Sequence, residues 1–388
     1  MASRLKILFL PRWYPNRNDP MPGLFIKKQA EGLTHLCDVA VVYVHPEPHC
    51  PNRYEAEFSE EKEVRVLRVY YRVPGAKAGW FGSILKLYRF YRANFRALQS
   101  IKAFDPDIVH AHIMTRTALV GYRISRLWKK PFVISEHWSR YFRENDSFRG
   151  VCRRTIARFI VGNADAVIPV SQVLRKAMQE HKLLNRRYVC IPNVVETELF
   201  TPAVQRKPGK TRMIHVSCFD DRSKNISGFL RIVKSLSLKR NDFECSLVGE
   251  GPDFEKMKLY ATGLGLDDGT VKFTGMKQGE ELVQAYRSSD FLVLSSRYET
   301  FGTVVVEAMS CGLPVVATNV GIIPEVLQSG NGLAVEPGND RLLEEAINKM
   351  LDTCQSYDIE AIRSSVLNRF SAEKVAEMLY HLYQELVS

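Results

Sequence analysis

The sequence lacks any segment that could cross a membrane as a helix. No apolar run reaches the ~20 residues that a transmembrane helix needs. The apolar stretch near the start, residues 7–10, is too short for a secretory signal and is ended by Pro11, so it is better explained as a buried strand. We therefore expect a cytoplasmic protein.

Cysteine is present without any regular spacing. Eight cysteines are scattered along the 388 residues, and no two of them form a Cys-x-x-Cys pair. This distribution disfavours a zinc site and a disulfide framework, and predicts free thiols in a reducing compartment. An internal repeat is also lacking, which disfavours a solenoid.

Acidic residues are scarce in the first half of the chain. Residues 1–200 contain 33 Lys+Arg against 18 Asp+Glu, whereas the remainder has a net charge of −4. Residues 64–104 contain nine basic residues and no acidic one. This asymmetry, together with the length, predicts two domains of different electrostatic character.

Short apolar strands alternate with helical patterns in both halves, which predicts an α/β fold with doubly wound parallel sheets. In the first half we expect strands at residues 7–10, 39–44, 132–137 and 166–171, and a loop that enters a short strand within 105–112. In the second half we expect them at 213–217, 244–248, 271–274, 291–294 and 315–317. The polar segment 203–212 is the predicted linker, and 371–386 has the spacing of an amphipathic helix capped by Ser371.

The most informative stretch is 295–318, which predicts a loop, a short helix and a second buried strand. Glu299 lies in the loop and Glu307 lies eight residues later, inside an otherwise apolar helix. A carboxylate in such surroundings is costly unless a partner such as a sugar or ribose hydroxyl pairs with it. The N–H groups at Gly302 and Thr303 open the helix and suit a phosphate. The order of these groups matches sugar, pyrophosphate and ribose.

The full pattern Glu299-Thr-Phe-Gly…Glu307-Ala-Met-Ser-Cys-Gly-Leu-Pro-Val-Val-Ala-Thr318 resembles family 4 of the retaining nucleotide-sugar glycosyltransferases (glycosyl transferases group 1). The resemblance implies the GT-B fold, in which two Rossmann-like domains face each other across a cleft. It implies an acceptor-binding domain at 1–202, joined by a crossover helix at 371–388, and a nucleotide-sugar-binding domain at 213–370. The implied reaction moves a sugar from a UDP- or GDP-sugar to a saccharide or lipid-linked acceptor, in bacterial surface polysaccharide synthesis.

The resemblance also implies roles for individual residues of the second domain. Glu299 and Lys224 would act in catalysis, and Glu307 would bind the donor ribose. The usual arginine position is occupied by Cys218, and Arg222 is the candidate replacement for the missing cation. Further donor-binding candidates are Phe301, Gly302, Thr303, Gly249 and Gly251.

Three features of the first domain resemble the family as well. Gly23 matches a glycine loop that closes over the diphosphate, although an ordinary turn explains it equally well. His137 corresponds to a histidine beside the reacting sugar and is the third candidate for catalysis. The junction motif Pro192-Asn-Val-Val-Glu196 carries Val194 and Glu196 where the family usually has Gly and Asp.

No metal site is expected. Asp105-Pro-Asp107 is the only Asp-x-Asp string, but it precedes a strand in a loop that family members carry without metal. His110 and His112 have strand spacing, which we interpret as structural, with one of them facing the core. GT-B enzymes of this kind neutralise the leaving diphosphate with fixed cations and helix N-termini instead.

The segment 79–98 combines aromatic and basic residues with no acid. Its residues Ile84, Leu87, Tyr88, Tyr91, Phe95 and Leu98 fall at helical spacing, so that a buried face is expected to explain most of them. Trp80 and Phe81, and the unbalanced basic residues, instead suit an anionic membrane surface. We therefore expect docking on the inner face of the cell membrane.

Two other functions are compatible with part of these observations. A sugar-nucleotide epimerase can share the GT-B fold but lacks the Glu299…Glu307 context. A non-enzymatic scaffold that binds polyanions would use the basic half, but it leaves Glu299, Glu307 and Lys224 unexplained. Nucleic acid is not an expected partner.

Overall fold

The chain forms two sheets, the first parallel except for one edge strand and the second fully parallel, each covered by helices, as the alternation predicts. The computed structural model describes residues 4–73, 79–145, 147–203, 209–266 and 269–388. Buried aliphatic and aromatic side chains fill the layers on the two faces of the first sheet and on those of the second. This three-layer packing explains why the central strands have continuous apolar runs.

The first sheet has seven strands in the order β3-β4-β2-β1-β5-β6-β7. The strands are β1 Leu5–Pro11, β2 Cys37–Glu47, β3 Tyr54–Glu61, β4 Val64–Arg72, β5 Ile108–His112, β6 Phe132–Glu136 and β7 Ala166–Pro169. All neighbours are parallel except β3, which pairs antiparallel with β4. The β3–β4 hairpin was not among the predicted strands. The helices of the first domain are α1 Leu24–Leu33, α2 Gly79–Ser100, α3 Arg116–Trp128, α4 Val151–Gly162 and α5 Gln172–Glu180.

The second sheet has six parallel strands in the order β10-β9-β8-β11-β12-β13. The strands are β8 Thr211–Val216, β9 Phe243–Val248, β10 Val271–Phe273, β11 Phe291–Leu294, β12 Val315–Thr318 and β13 Gly332–Val335. The helices that follow in the chain are α6 Asp221–Lys224, α7 Ile226–Ser237, α8 Phe254–Gly263, α9 Gly279–Arg287, α10 Thr303–Ser310, α11 Ile323–Val326, α12 Asp340–Thr353, α13 Ile359–Phe370 and α14 Ala372–Val387.

Both sheets have the strand order of a doubly wound nucleotide-binding fold. In the first sheet, β1 lies between β2 and β5, and in the second sheet β8 lies between β9 and β11. The direction in which strands are added to each sheet therefore reverses between β1 and β5, and between β8 and β11. In open parallel sheets, ligands bind at the carboxyl ends of the strands at this reversal. The two reversal points therefore locate where ligand-binding residues are expected.

The last helix, α14, returns to the first sheet. Its N-cap is Ser371, whose side chain accepts a hydrogen bond from the N–H of Lys374. Val375 and Leu379 pack into the same core as α1, and the Tyr383 hydroxyl lies 2.7 Å from Nδ1 of His110. Strand β8 already begins at Thr211, inside the predicted linker 203–212, of which residues 204–208 lie outside the described part.

The buried face of α2 differs from the predicted one. Ile84, Tyr88 and Phe95 are exposed, and the helix instead buries Phe90, Ala93, Asn94, Ala97 and Leu98 against the sheet. Small side chains allow the helix to approach β4 and β2 closely, so that the larger aromatic residues are directed away from the core. The prediction that this face is buried was therefore wrong for these three residues.

None of the helices in the described part of the chain is both long enough and apolar enough to cross a bilayer. All eight cysteines are free thiols, and five of them are buried in the two domains.

Candidate active site

Lys224 and Glu299 form an ion pair at the carboxyl ends of β8 and β11. The Nζ of Lys224 lies 2.5 Å from Oε1 of Glu299, and the Ser296 hydroxyl donates to the same oxygen at 2.8 Å. Burial alone would lower the pKa of Lys224, but the neighbouring carboxylate raises it overall. The lysine is therefore a fixed cation at neutral pH, in a site that is largely shielded from water.

The loop that carries Lys224 is fastened to the loop that carries Glu299. Arg297 donates from its backbone N–H to the Ser223 carbonyl at 2.7 Å, and its guanidinium donates to the Asp221 carbonyl at 2.6 Å. A third contact joins the guanidinium to Oδ1 of Asn225 at 2.5 Å. Sequence reasoning missed Arg297, although its place two residues before Glu299 was a signal.

Helix α10 begins at the end of the Glu299 loop. Its N-cap Gly302 has φ +93°, a left-handed conformation that glycine adopts without strain, and Thr303 is the first helical residue. No side chain caps this end, so the first N–H groups are suited to an anion. Phe301, by contrast, is 1% exposed and packs edge-on against Phe370. Its side chain therefore belongs to the core, and a contact of this residue with the donor stays a prediction.

Glu307 lies one turn further along α10. The Tyr286 hydroxyl donates to Oε2 of Glu307 at 3.0 Å, and burial raises the pKa of this carboxyl above its ordinary value despite that hydrogen bond. Lys28 lowers the same pKa through its charge, and Lys28 forms an ion pair of 2.6 Å with Glu196. The carboxylate thus keeps acceptor capacity for hydroxyl groups.

Close backbone packing requires glycine at positions 249 and 251. A Cβ at Gly249 would overlap the Ser217 carbonyl, and one at Gly251 would overlap the Cys218 carbonyl. Gly249 also has φ +127°. The turn after β9 therefore packs directly on the turn after β8, and contact of either glycine with a nucleotide stays a prediction.

Gly23 has a similar explanation. It is the N-cap of α1 with φ +70°, and a Cβ there would overlap the Trp13 carbonyl. Close packing of two backbone segments is sufficient to require glycine, so that a role in closing over a diphosphate stays a prediction.

His137 follows β6 and is held by the junction motif. Its Nδ1 lies 3.1 Å from Oδ1 of Asn193, which places the proton on Nδ1 and leaves Nε2 as an acceptor. Nε2 is buried and has no hydrogen-bond partner among the described residues. Burial lowers the pKa of His137 to about 3, so that the ring is neutral at pH 7. Sequence reasoning did not assign a role to Asn193.

The preceding residue, Glu136, organises the turn that carries His137. Its buried carboxylate accepts hydrogen bonds from the N–H groups of Met114, His137 and Trp138 and from the Tyr141 hydroxyl, all within 2.8–2.9 Å. Burial raises the pKa of this carboxyl, and the four donors oppose that rise. Glu136 therefore positions the backbone around His137, whereas the ring is held by Asn193.

His110 and His112 are both buried, on one face of β5. Residues two apart on a strand point to the same side, and the two rings stack with centroids 4.2 Å apart. The expectation that only one of them faces the core was therefore wrong. The ring of His112 in turn lies 5.8 Å from that of His137.

Two contacts across the cleft join the domains beside the Glu299 loop. The Ser171 hydroxyl donates to the Thr300 carbonyl at 2.7 Å. The Arg222 guanidinium donates to the carbonyls of Glu144 and Asn145 in the first domain at 2.9 and 3.0 Å. Arg222 thus bridges the domains in this structure, and its service as a replacement cation for the diphosphate stays a prediction.

The Asp-x-Asp string lies at the opposite end of β5 from His112. Oδ2 of Asp107 accepts the Lys6 N–H at 2.9 Å, and Nζ of Lys130 lies 3.4 Å from Oδ1 of Asp105. Within the described ranges there is no group of three or more His, Cys, Asp or Glu placed to hold a metal ion. The two aspartates therefore hold the start of β5 against neighbouring segments. Whether the reaction needs a metal is not decided by them.

The architecture and the cleft define a class, the GT-B glycosyltransferases, and solved structures share this fold. Sucrose-phosphate synthase from Thermosynechococcus elongatus superposes with a TM-score of 0.77 at 20% identity, covering 99% of both chains. Anabaena HepE in complex with UDP and glucose superposes with a TM-score of 0.72 at 18% identity, covering 99% of this chain and 100% of that one.

Two family models together match most of the chain. The model described as glycosyl transferases group 1 matches residues 198–358, and the one described as glycosyl transferase 4-like domain matches residues 22–194. The chain belongs to the family 4, group 1 glycosyltransferases, as its motifs predicted. This membership disfavours the non-enzymatic scaffold.

The chain is also similar in sequence to named glycosyltransferases. The chain is 28% identical to D-inositol 3-phosphate glycosyltransferase of Corynebacterium jeikeium over 305 residues, which is 72% of each chain. It is 24% identical to the putative teichuronic acid biosynthesis glycosyltransferase TuaC of Bacillus subtilis over 402 residues, which is 98% of each.

Proposed function

We propose that the chain transfers a sugar from a UDP- or GDP-sugar to a saccharide or lipid-linked saccharide, with retention of anomeric configuration and without a metal. The observation that carries the proposal is the Lys224–Glu299 pair beside the uncapped start of α10. Together they supply a fixed cation and free N–H groups where a departing diphosphate needs stabilisation. The second domain would bind the donor and the first domain the acceptor.

The proposed reaction breaks the bond between C1 of the sugar and the diphosphate oxygen and forms one between C1 and the acceptor oxygen. The acceptor's proton passes to the departing phosphate on the same face of the sugar. A double displacement would need a carboxylate on the far face, and no residue is assigned to that task. Glu299 would hold the sugar hydroxyls, and Glu307 would hold the ribose.

Nε2 of His137 would accept a hydrogen bond from a hydroxyl of the reacting sugar. Its neutral ring and its buried, unpartnered nitrogen support this role. A buried acceptor without a partner is costly, so that a sugar hydroxyl would satisfy it on binding.

The similarity to TuaC, whose name refers to teichuronic acid biosynthesis, supports a role in bacterial surface polysaccharide synthesis. We further propose that the exposed apolar face of α2 docks on the inner face of the cell membrane. Trp80, which is 72% exposed, and its neighbour Phe81 support this, together with Arg92 on the same helix. An anionic leaflet attracts such a surface.

A thermal-shift panel of nucleotide sugars tests the donor class. A bound donor at a hundredfold excess over Kd adds roughly 2.7 kcal/mol to the free energy of unfolding. We expect one UDP- or GDP-sugar to raise Tm and to yield product of unchanged anomeric configuration by NMR. Interconversion of the donor with its epimer, without transfer, would favour the epimerase instead.

A further inference from the structure

A cavity of about 530 Å³ lies at the carboxyl end of the first sheet, beside the reversal point between β1 and β5. Its floor is formed by residues that follow the strands, including Arg12 after β1 and Trp138 after β6. Its walls come from α2, α3 and α4. Trp138, which lines the cavity, directly follows His137, the candidate for contact with the reacting sugar.

The cavity is lined by five cations and by no acidic residue. The cations are Arg12, Lys86, Arg116, Arg140 and Arg153. In the described ranges none of the five lies within ion-pair distance of a carboxylate. A concentration of unpaired positive charge in a recess attracts an anionic ligand.

Arg140 is the most informative of these cations. It is 9% exposed, its guanidinium lies 3.5 Å from the centroid of the Trp138 ring, and its Nε has no hydrogen-bond partner among the described residues. A buried cation with an unused donor is costly unless a ligand supplies an acceptor. The N-terminus of α3, with Thr115 and Arg116, lines the same recess and also favours negative charge.

The cavity also has an apolar part to its lining. Leu87 and Phe90 of α2 belong to it, as do Ile156 and Ile160 of α4. Ile156 is half exposed at the rim, and further apolar residues on both helices are exposed beyond it, such as Val151 on α4. The same two helices, α2 and α4, therefore carry both the apolar lining of the cavity and the exposed apolar residues outside it.

We propose that this cavity binds the acceptor, and that the acceptor is a saccharide linked to a phosphate-bearing lipid. Its phosphate lies against Arg12, Arg116 and Arg140, and its hydrocarbon chain lies between α2 and α4. The inference rests on the proposed function, because it names the substrate class of the transfer. A free phosphate compound would leave the apolar wall unused, and a neutral lipid would leave Arg140 unsatisfied.

Binding of dodecyl phosphate to the full chain, below its micellar concentration, tests the proposal through tryptophan fluorescence. We expect it to bind about tenfold or more tightly than either dodecyl maltoside or inorganic phosphate, because each of these lacks one half of the ligand. Arg116→Gln and Ile156→Asp should each weaken dodecyl phosphate binding about tenfold. The matched controls are Arg123→Gln and Leu127→Asp, exposed positions on α3 outside the cavity.

If dodecyl maltoside binds as tightly as dodecyl phosphate, the proposed phosphate site is wrong. If inorganic phosphate binds as tightly as dodecyl phosphate, the proposed binding of the hydrocarbon chain is wrong. Unchanged binding in both cavity variants would overturn the location. The Tm increase caused by UDP or GDP is measured on the same samples. If it is present while dodecyl phosphate fails to bind, the acceptor proposal alone is wrong. If neither nucleotide raises Tm, the proposed function fails independently.

Discussion

Nζ of Lys224 lies 2.5 Å from Oε1 of Glu299, although the two residues are 75 positions apart in the chain. The pair forms because β8 and β11 are neighbours in the second sheet, so that the loops at their carboxyl ends meet. Each residue fixes the other: the carboxylate keeps the lysine charged, and the lysine holds the carboxylate beside the start of α10. Arg297 fastens both loops to each other.

Arg297 is predicted to be a positioning residue for Lys224. Arg297→Ala removes three side-chain hydrogen bonds to the Lys224 loop. We expect kcat to fall roughly tenfold, with KM for the donor changed less, because the cation loses its fixed position and the site its preorganisation. Arg297→Lys, which keeps a donor, should recover part of the rate. A loss confined to Tm, with kcat intact, would show a purely structural role.

Asn193 is predicted to hold His137 in the tautomer that leaves Nε2 as an acceptor. Asn193→Leu leaves the buried Nδ1–H without a partner, which should lower the free energy of unfolding by about 1–3 kcal/mol and kcat/KM by roughly tenfold. Asn193→Asp keeps an acceptor oxygen and should restore most of the rate. Urea unfolding and steady-state kinetics measure the two effects; identical rates in the Leu and Asp variants would contradict the assignment.

Donor binding is predicted to weaken on acidification because of Glu307. Burial raises the pKa of this carboxyl above its usual value, so that it takes up a proton at a higher pH than an ordinary glutamate. The ionised form would accept the ribose hydroxyls under the proposed function, and its loss should raise the Kd of UDP or GDP as pH falls from neutrality toward 5. In Glu307→Gln the Kd should be higher and should not show this step. If the Kd of the wild type and that of Glu307→Gln show the same pH dependence, the titrating group is not Glu307 and the prediction is wrong.

The linkage to stability has the opposite sign. Since the folded state binds the Glu307 proton more tightly than the unfolded state does, this group favours folding at low pH and loses that contribution as pH rises through the raised pKa. Acid weakening of nucleotide binding is therefore expected without destabilisation by this residue.

Membrane docking through α2 is predicted to depend on both its apolar and its basic residues. Co-sedimentation with anionic liposomes should fall in high salt, and also in the double variant Trp80→Ser with Phe81→Ser. Arg92→Glu should weaken it as well. Arg89 is a poorer target, because its guanidinium donates to the Arg72 carbonyl at 2.6 Å. The control is Leu259→Ser, an exposed apolar position on α8. Recovery in the supernatant regardless of anionic lipid would contradict the docking.

The sequence was sufficient to predict β11, α10 and β12, because their apolar pattern and the Gly-Leu-Pro stop are local signals. It also predicted the return of the last helix, although only through the family resemblance. The face of α2 was not predictable from spacing. Ala93, Ala97 and Asn94 are buried there because the helix packs closely on the sheet, and this packing depends on strands that are distant in sequence.

In the candidate site, too, some features follow from local sequence and others from long-range packing. Phe301 was a donor-binding candidate through the family resemblance, and nothing local to it showed that its ring packs in the core against Phe370, 69 residues away. Gly249 and Gly251 were recognisable as special, yet the reason, contact with the turn at Ser217 and Cys218, is tertiary. Local sequence identified which residues were unusual, and long-range packing decided what each of them contacts.

The most direct test of the account is donor turnover by Lys224→Ala and Glu299→Gln in the presence of EDTA. The wild-type chain should release nucleoside diphosphate from its donor at an undiminished rate in EDTA. Each variant should lose about a hundredfold or more in kcat/KM while its Tm stays close to that of the wild type. Lys258→Ala, at an exposed lysine on α8, serves as the control. Near-normal turnover in both variants, or loss of wild-type activity in EDTA that Mg²⁺ or Mn²⁺ restores, would contradict the account.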